Sequence, residues 1–462
     1  MKTQYDIVVI GAGVVGSAVA RDLAGTGNRV ALVDSRSDVC EGTSKANTAL
    51  LATGFDAKPH SLESQLYARG YELMIAYCKE TGIALDHCGG VLVAWDQEQA
   101  EALPQLQAEA VENNYMDSRL LSSEEVYALI PALGPGVTGG MDVPGESIID
   151  PWSVPIACAT DAVHRGADLL FNCTVTQIDV GDEITTLHTS QGEITTYWVV
   201  NSAGLGGDVI DAQYGYDRLH LFPRRGELLV FDKFSLSMTS KIVLAVPSGV
   251  TKGVLISPSV FGNVLLGPNA EVIEDRLDTS TTEAAFEELI SKGRRIFPYL
   301  EHEEVTAAYA GLRAGHDQQD CLVDCDSAQR YVITAAFRAG LTFSLAIAEM
   351  VHGLLDEAGV EVSFRKDLPA TVTMPPLGEC QIRPFENPEL IAQDPAYGEI
   401  VCFCERVTRG EILDALNSTV PARTVSGLRR RTRATNGRCQ GFFCGAQVKT
   451  LVNTHTTMEA ES

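Results

Sequence analysis

Two cysteine pairs near the C-terminus carry the most specific chemistry in this sequence. Cys402-Phe403-Cys404 is followed, 34 residues later, by Cys439-Gln440-Gly441-Phe442-Phe443-Cys444, so the spacing is CxC and then CxxxxC. Four thiolates so placed suit a tetrahedral zinc or a 2Fe-2S cluster, both of which are S4 sites. Between the pairs lies Arg429-Arg430-Arg431-Thr432-Arg433, with Arg438 beyond it. This run reads either as positive charge that offsets a thiolate-bound cluster or as a solvated face. The other eight cysteines, Cys40, Cys78, Cys88, Cys158, Cys173, Cys321, Cys325 and Cys380, are scattered and read as structural thiols. Cys321 and Cys325 form a CxxxC without a second pair nearby.

The N-terminus offers a second kind of chemistry. Gly11-Ala12-Gly13-Val14-Val15-Gly16 follows the apolar run Tyr5 to Ile10, and Asp34 comes 18 residues after Gly16. This is a dinucleotide fingerprint in its required strand-turn-helix context. Gly11 permits the tight turn, Gly13 lets the backbone approach a pyrophosphate at a helix N-terminus, and Gly16 lets helix and sheet pack closely. Asp34 suits ribose hydroxyls and repels a 2'-phosphate. Thr43-Ser44-Lys45-Ala46-Asn47 is a polar loop able to reach a diphosphate and a flavin edge. Gly340-Leu341-Thr342, between a strand and an apolar helix, reads either as a positive helix terminus facing reduced flavin or as an ordinary turn. These features favour FAD over NAD.

The elements that must position these residues begin with a βαβ unit: a strand at 5 to 10, a helix from about Val15 to Gly25 and a strand at Arg29 to Asp34. Helical patterns follow near 61 to 80, 98 to 112 and 123 to 130. Strands at 226 to 231, 252 to 257 and 263 to 267 read as an inserted sheet, and the strand Tyr331 to Phe337 with the helix 343 to 355 returns to the first domain. The stretch Pro369 to Ala396 is Pro-rich and aperiodic, which reads as a flexible linker. The 462 residues carry 35 Lys+Arg against 61 Asp+Glu, a formal charge of -26, which excludes diffuse attraction to nucleic acid or anionic lipid. The most apolar run, Ala335 to Leu355, contains Arg338, Glu349 and His352, so no transmembrane helix is expected. The opening strand leaves no room for a cleavable signal peptide, and the expected location is cytoplasmic.

The segments GAGVVGSAVARDLA, GTSKANTALL, FDAKPHSL, VVNSAGLGGD, PRRGELLVFD, KGVLISPSVFGNVLLGP and AGLR resemble the flavin-dependent oxidoreductases of the D-amino-acid oxidase and glycerol-3-phosphate dehydrogenase superfamily. The tail, CFCERVTRGEI through LRRRTRATNGRCQGFFC, is similar to the bacterioferritin-associated-ferredoxin-like 2Fe-2S domain. Together they resemble the catalytic subunits of anaerobic glycerol-3-phosphate dehydrogenases. The resemblance implies an α/β chain: a Rossmann-like FAD-binding domain (1–80, 145–215 and 310–368) with an inserted α+β substrate domain (81–144 and 216–309). A linker (369–396), a small helical 2Fe-2S domain (397–452) and a tail (453–462) complete it. It assigns FAD contacts to Gly11, Gly13, Gly16, Asp34, Ser44, Asn47, Val175, Gly204, Gly340 and Thr342, and the cluster to Cys402, Cys404, Cys439 and Cys444. Arg313, in AGLR, matches the arginine that holds the anionic end of the substrate, with Arg225, Lys252 and Arg338 as further candidates.

Two departures bear on the substrate. Where relatives commonly place a histidine after the polar loop, this chain has Ala52, and Arg338-Ala339-Gly340-Leu341-Thr342 lacks the usual extra Ser-Pro. The expected activity is dehydrogenation of a small anionic CH-OH substrate, a polyol phosphate such as glycerol 3-phosphate or a hydroxy acid. Electrons are expected to pass through the cluster to a protein subunit or quinone-linked partner in a hetero-oligomer, peripheral to the inner face of the membrane. The alternatives are an amino-acid or opine-type CH-NH dehydrogenase and a metal-stabilised redox sensor. The arginine run Arg429 to Arg433 is expected to form the partner's docking surface, with binding that weakens as ionic strength rises.

Overall fold

The computed structural model describes residues 3–247, 253–317 and 320–460. The first strand, β1 (Gln4–Ile10), is apolar on both faces because both are covered. Ile7 and Val9 enter one core with the helices, and Tyr5, Val8 and Ile10 enter another on the opposite side. β1 pairs in parallel with β2 (Val30–Val33) on one side and with Gly192–Asn201 on the other. Asp168–Leu170 extends the sheet beyond β2, and Tyr331–Ala335 joins Gly192–Asn201, also in parallel. The helix α1 (Val14–Ala24) crosses from β1 to β2, making the doubly wound unit the fingerprint requires.

Two longer helices close this layer. Leu62–Thr81 starts at Ser61, whose hydroxyl accepts from the Ser64 backbone, and stops at the left-handed Gly82. It approaches Gly340–Glu357 at Gly70, where an added Cβ would lie 2.2 Å from the Thr342 carbonyl oxygen. The inserted sheet is mostly antiparallel and centres on Leu221–Phe231. The long strand Val305–His316 pairs with it along its whole length, from Phe231 opposite Val305 to Leu221 opposite His316. The division expected at 309/310 therefore cuts a continuous strand, and residues 305–316 belong with the inserted sheet. Only the AGLR segment of that strand stood out in the sequence, because its outer half is half-buried and does not alternate.

The stretch 369–396 differs from the flexible linker expected of it. The Val372 N–H donates to Asp161, the Met374 N–H to the Thr81 carbonyl, and the Gln381 side chain to the Gly82 carbonyl. Arg383 is buried and donates to Glu411 of the C-terminal module at 3.1 Å. Short helical turns at Pro384–Glu386, Pro388–Gln393 and Pro395–Gly398 complete a strap bonded to both modules. Proline fixes the backbone of such a strap as readily as it breaks a helix.

The arginine run is also placed differently from the solvated docking face expected. Arg430, Arg431 and Arg433 are buried. Arg431 forks onto Asp38, with both distances 2.7 Å, and Arg430 reaches Asp38 at 2.9 Å and Glu41 at 3.3 Å. Arg433 bonds Glu405 at 2.8 Å and lies 4.0 Å over the Phe261 ring. Arg430 and Arg431 join the C-terminal module to the loop that follows Asp34, and Arg433 joins it to the inserted sheet at Phe261. Arg438 alone of the group is exposed, and it pairs with Asp232 and Glu304. No helix among the described residues is long and apolar enough to cross a membrane.

Candidate functional site

The glycine turn at the end of β1 is shaped by its neighbours. Gly11 has φ +106, and a Cβ there would lie 2.3 Å from the Ser202 carbonyl oxygen. A Cβ on Gly16 would lie 1.8 Å from the Gly11 carbonyl oxygen, so α1 can begin this close to the strand only without a side chain. Gly13 precedes α1 and meets only the Ser44 hydroxyl, at 3.2 Å. That hydroxyl accepts from the Val14 N–H at 3.0 Å, and no side chain caps the helix from Gly13 itself. An anion fits this N-terminus, whose amides and dipole point at the Ser44 loop.

Asp34 accepts from the Ala12 N–H at 2.7 Å through one oxygen and from the Arg36 N–H at 2.8 Å through the other. Burial raises its pKa, and these two amides oppose the rise. Each oxygen keeps a lone pair for a ribose hydroxyl. Asn47 donates to the Ser44 carbonyl and accepts from the Ala49 N–H, so it fixes the polar loop. Tyr309 and Thr43 tie the same loop to the strand that carries Arg313. Gly204, with φ +58, follows the Ser202 contact with Gly11. Val175 opens an edge strand two residues after Cys173, whose N–H donates to the Asp34 carbonyl. Gly340 begins its helix with no side-chain cap, and the buried Thr342 accepts from the Ala52 N–H at 3.3 Å. The glycine turn, Asp34 and the Ser44 loop thus meet at the start of α1, where the remaining helix amides and the carboxylate fit a dinucleotide.

Arg313 lies opposite Arg224 in the sheet. Both line a cavity of about 160 Å³ with Phe222, Ala314, Gly315, His316, Ala336 and Arg338. Ala336 holds a left-handed φ of 67, so the wall is bent backbone where the strand turns toward Gly340. Neither Arg224 nor Arg313 has a carboxylate partner among the described residues. The protein around Arg313, and then the charges of Arg224 and Arg338, lower its pKa. Arg338 is held by Glu63 at 2.8 Å and its Nη2 lies 3.8 Å from Asp56, beyond hydrogen-bond reach, while Nδ1 of His316 is buried without a hydrogen bond. Such orphaned buried donors and acceptors are costly unless a ligand meets them.

Arg225 is not part of this group. It points to the other side of the sheet, bonded to Glu271 at 2.6 Å and Asp278 at 2.8 Å, so its charge is already matched. Lys252 lies outside the described residues. Arg224 and His316 were missed in the sequence. The alternation of a strand could have separated Arg224 from Arg225, but nothing local marks His316.

The four C-terminal cysteines come together from two turns. Cys402 ends the strand Ile400–Cys402, and Cys444 immediately precedes the helix Gly445–Ala460. Cys404 contacts Cys439, and Cys402 contacts Cys444. Gly437 allows the turns to meet, since a Cβ there would lie 2.3 Å from Cβ of Cys404. Burial pushes the Cys404 and Cys444 thiols up, the latter to about 12, whereas the Phe443 N–H draws the Cys439 thiol down. Among the described residues no three metal-ligating side chains gather on one ion. Four thiols brought together from two turns would suit a [2Fe-2S] cluster, which is held by four cysteines. Cys404→Ser is expected to remove iron and the cluster spectrum while flavin stays bound, because the glycine cradle lies in the other module. Stoichiometric zinc without iron in anaerobically purified wild-type protein would contradict the cluster.

Comparison with known proteins agrees with both halves. Residues 6–354 match the family described as FAD dependent oxidoreductase (DAO), and residues 400–454 match the BFD-like [2Fe-2S] binding domain. The chain is 32% identical over 447 residues to a glycerol 3-phosphate dehydrogenase of Caloramator mitchellensis, covering 96% of this chain and 93% of that one. It is 24% identical over 525 residues to one subunit of the anaerobic glycerol-3-phosphate dehydrogenase of Escherichia coli (strain K12), covering 100% of this chain and 91% of the other. The reduced, FAD-bound L-alpha-glycerophosphate oxidase of Mycoplasma pneumoniae superposes with a TM-score of 0.76 at 25% identity, over 81% of this chain and 100% of that one.

Proposed function

We propose a reaction for this chain on the premise that it belongs to the FAD dependent oxidoreductase family, with FAD and a [2Fe-2S] cluster as its cofactors. The reaction is oxidation of a CH-OH group on a small organic phosphate, and glycerol 3-phosphate is the first substrate to test. The observation that carries this reading is the cavity with Arg224, Arg313 and Arg338, two of which lack a carboxylate partner among the described residues. A single guanidinium suffices for a monocarboxylate, whereas a phosphate dianion offers three oxygens to several. The names of the Caloramator and Mycoplasma relatives support the same substrate class.

In this reading Gly11, Gly13, Gly16, Asp34, Ser44, Asn47, Val175, Gly204, Gly340 and Thr342 hold FAD, which supplies the hydride acceptor when bound. Arg313 and Arg224 grip the phosphate, and Glu63 orients Arg338 beside them. Nδ1 of His316 takes the hydroxyl proton, a role the family's histidine cannot fill from Ala52. Cys402, Cys404, Cys439 and Cys444 would hold the cluster, which would supply one-electron transfer toward a partner protein or quinone-linked acceptor. A CH-NH substrate would use Arg313 for its carboxylate. Ala52 favours that reading, since a deprotonated amine needs no strong base, but it leaves the surplus guanidinium groups unexplained.

Arg313→Lys tests the grip, because lysine replaces a planar fork by a point charge. Loss of charge-assisted hydrogen bonds worth about 1.5–3 kcal/mol should raise the half-saturating substrate concentration for flavin reduction roughly ten- to a hundredfold. Flavin content should not change. Near-normal reduction by glycerol 3-phosphate in this variant would mean that the anion is held elsewhere.

A further inference from the structure

The four thiols lie beneath an unusual surface. Phe403, between Cys402 and Cys404, is 63% exposed, and Phe442 and Phe443, just before Cys444, are 95% and 72% exposed. The Phe403 and Phe443 rings meet edge to face at 5.5 Å, so the patch is ordered before anything covers it. Phe234, 75% exposed, adjoins it through Arg438, which stacks 5.2 Å over its ring and immediately precedes Cys439. Four exposed phenylalanines gathered on one site are a docking feature rather than scattered surface.

We propose that this aromatic patch is the docking surface for an electron-accepting protein, in place of the arginine run expected from the sequence. This rests on the reading of the four thiols as a cluster site. Three observations choose the occupant. The phenylalanines interleave with the cysteines, so whatever covers them comes within reach of the cluster. The adjoining Arg438 is already paired with Glu304 and Asp232, which leaves the contact apolar and weakly dependent on salt. A net charge of -26 opposes an anionic lipid surface, which an exposed aromatic patch could otherwise enter. One electron passes from the reduced cluster to the partner's haem, flavin or iron–sulfur group, and the cluster is reoxidised in the same step.

The test places a photoreactive benzophenone amino acid at position 442 of the full chain in the cells that produce it, with the exposed Leu277 as the control position. The expected result is an adduct at 442, absent at 277, with a protein that contains a redox group and accepts electrons from the dithionite-reduced holoenzyme. Phe442→Ser should slow that transfer at least tenfold while iron content and ferricyanide reduction stay unchanged, and raising the salt concentration should alter the wild-type rate by less than twofold. Adducts with lipid, with a second copy of this chain, with a protein lacking a redox group, or with nothing would overturn the proposal. So would unaltered transfer in Phe442→Ser or a steep loss with salt. Neither the adduct nor dithionite reduction needs a substrate, so failure here is distinguishable from failure of the glycerol 3-phosphate assignment.

Discussion

Asp38→Ala is expected to loosen the C-terminal module from the rest of the chain. Asp38 is buried and accepts from Arg430 and from both terminal nitrogens of Arg431. Gly427 makes room for the carboxylate, since a Cβ there would lie 2.6 Å from it. Removing it leaves two buried guanidinium groups with one partial substitute, Glu41 at 3.3 Å from Arg430. Breaking a buried pair in this way costs about 3–5 kcal/mol, most of it from the charges left behind. Calorimetry should show an earlier, separate transition for the C-terminal module, and limited proteolysis should release it from the chain. The strap at 369–396 would still hold the chain ends together, so flavin should remain. A single transition at the wild-type temperature would mean that the ion pairs contribute little to docking.

Gly16→Ala is expected to have the largest effect on flavin. The new methyl would sit 1.8 Å from the Gly11 carbonyl oxygen, which is backbone and cannot rotate away. α1 must shift, and its first amides move from where a pyrophosphate meets them. Overpacking of this kind costs typically 1–3 kcal/mol, so FAD affinity should fall by up to roughly a hundredfold. Gly353→Ala is the control. It lies within Gly340–Glu357 with nothing within 4 Å of the added carbon, and alanine favours a helix. Flavin content measured after gel filtration should fall in the first variant and not in the second.

The sequence disclosed what is local and concealed what is distant. Gly11 to Asp34 could be read because the turn, the helix start and the carboxylate fall within one βαβ unit and each glycine has a steric reason. The four cysteines could be read from their spacing, but their two-and-two contacts depend on how the turns at 402–404 and 439–444 fold onto each other. Arg430 and Arg431 could be read as a solvated face because their partners, Asp38 and Glu41, lie nearly 400 positions earlier. Long-range ion pairs leave no periodic trace. The strap was misread because composition alone does not show that Arg383 finds Glu411 or that the Met374 N–H finds Thr81. Arg225 was chosen over Arg224 because adjacent residues on a strand face opposite sides, and the register that separates them belongs to the whole sheet.

Anaerobic titration of the holoenzyme with glycerol 3-phosphate, followed by optical and electron paramagnetic resonance spectra, tests the proposed chemistry most directly. The account predicts that the flavin band bleaches and that the signal of a reduced [2Fe-2S] cluster then grows, with both changes failing in Arg313→Lys at the same substrate concentration. A flavin that stays oxidised with glycerol 3-phosphate but bleaches with an amino acid or opine would contradict the substrate assignment. A bleached flavin beside a cluster that remains oxidised would contradict the electron route.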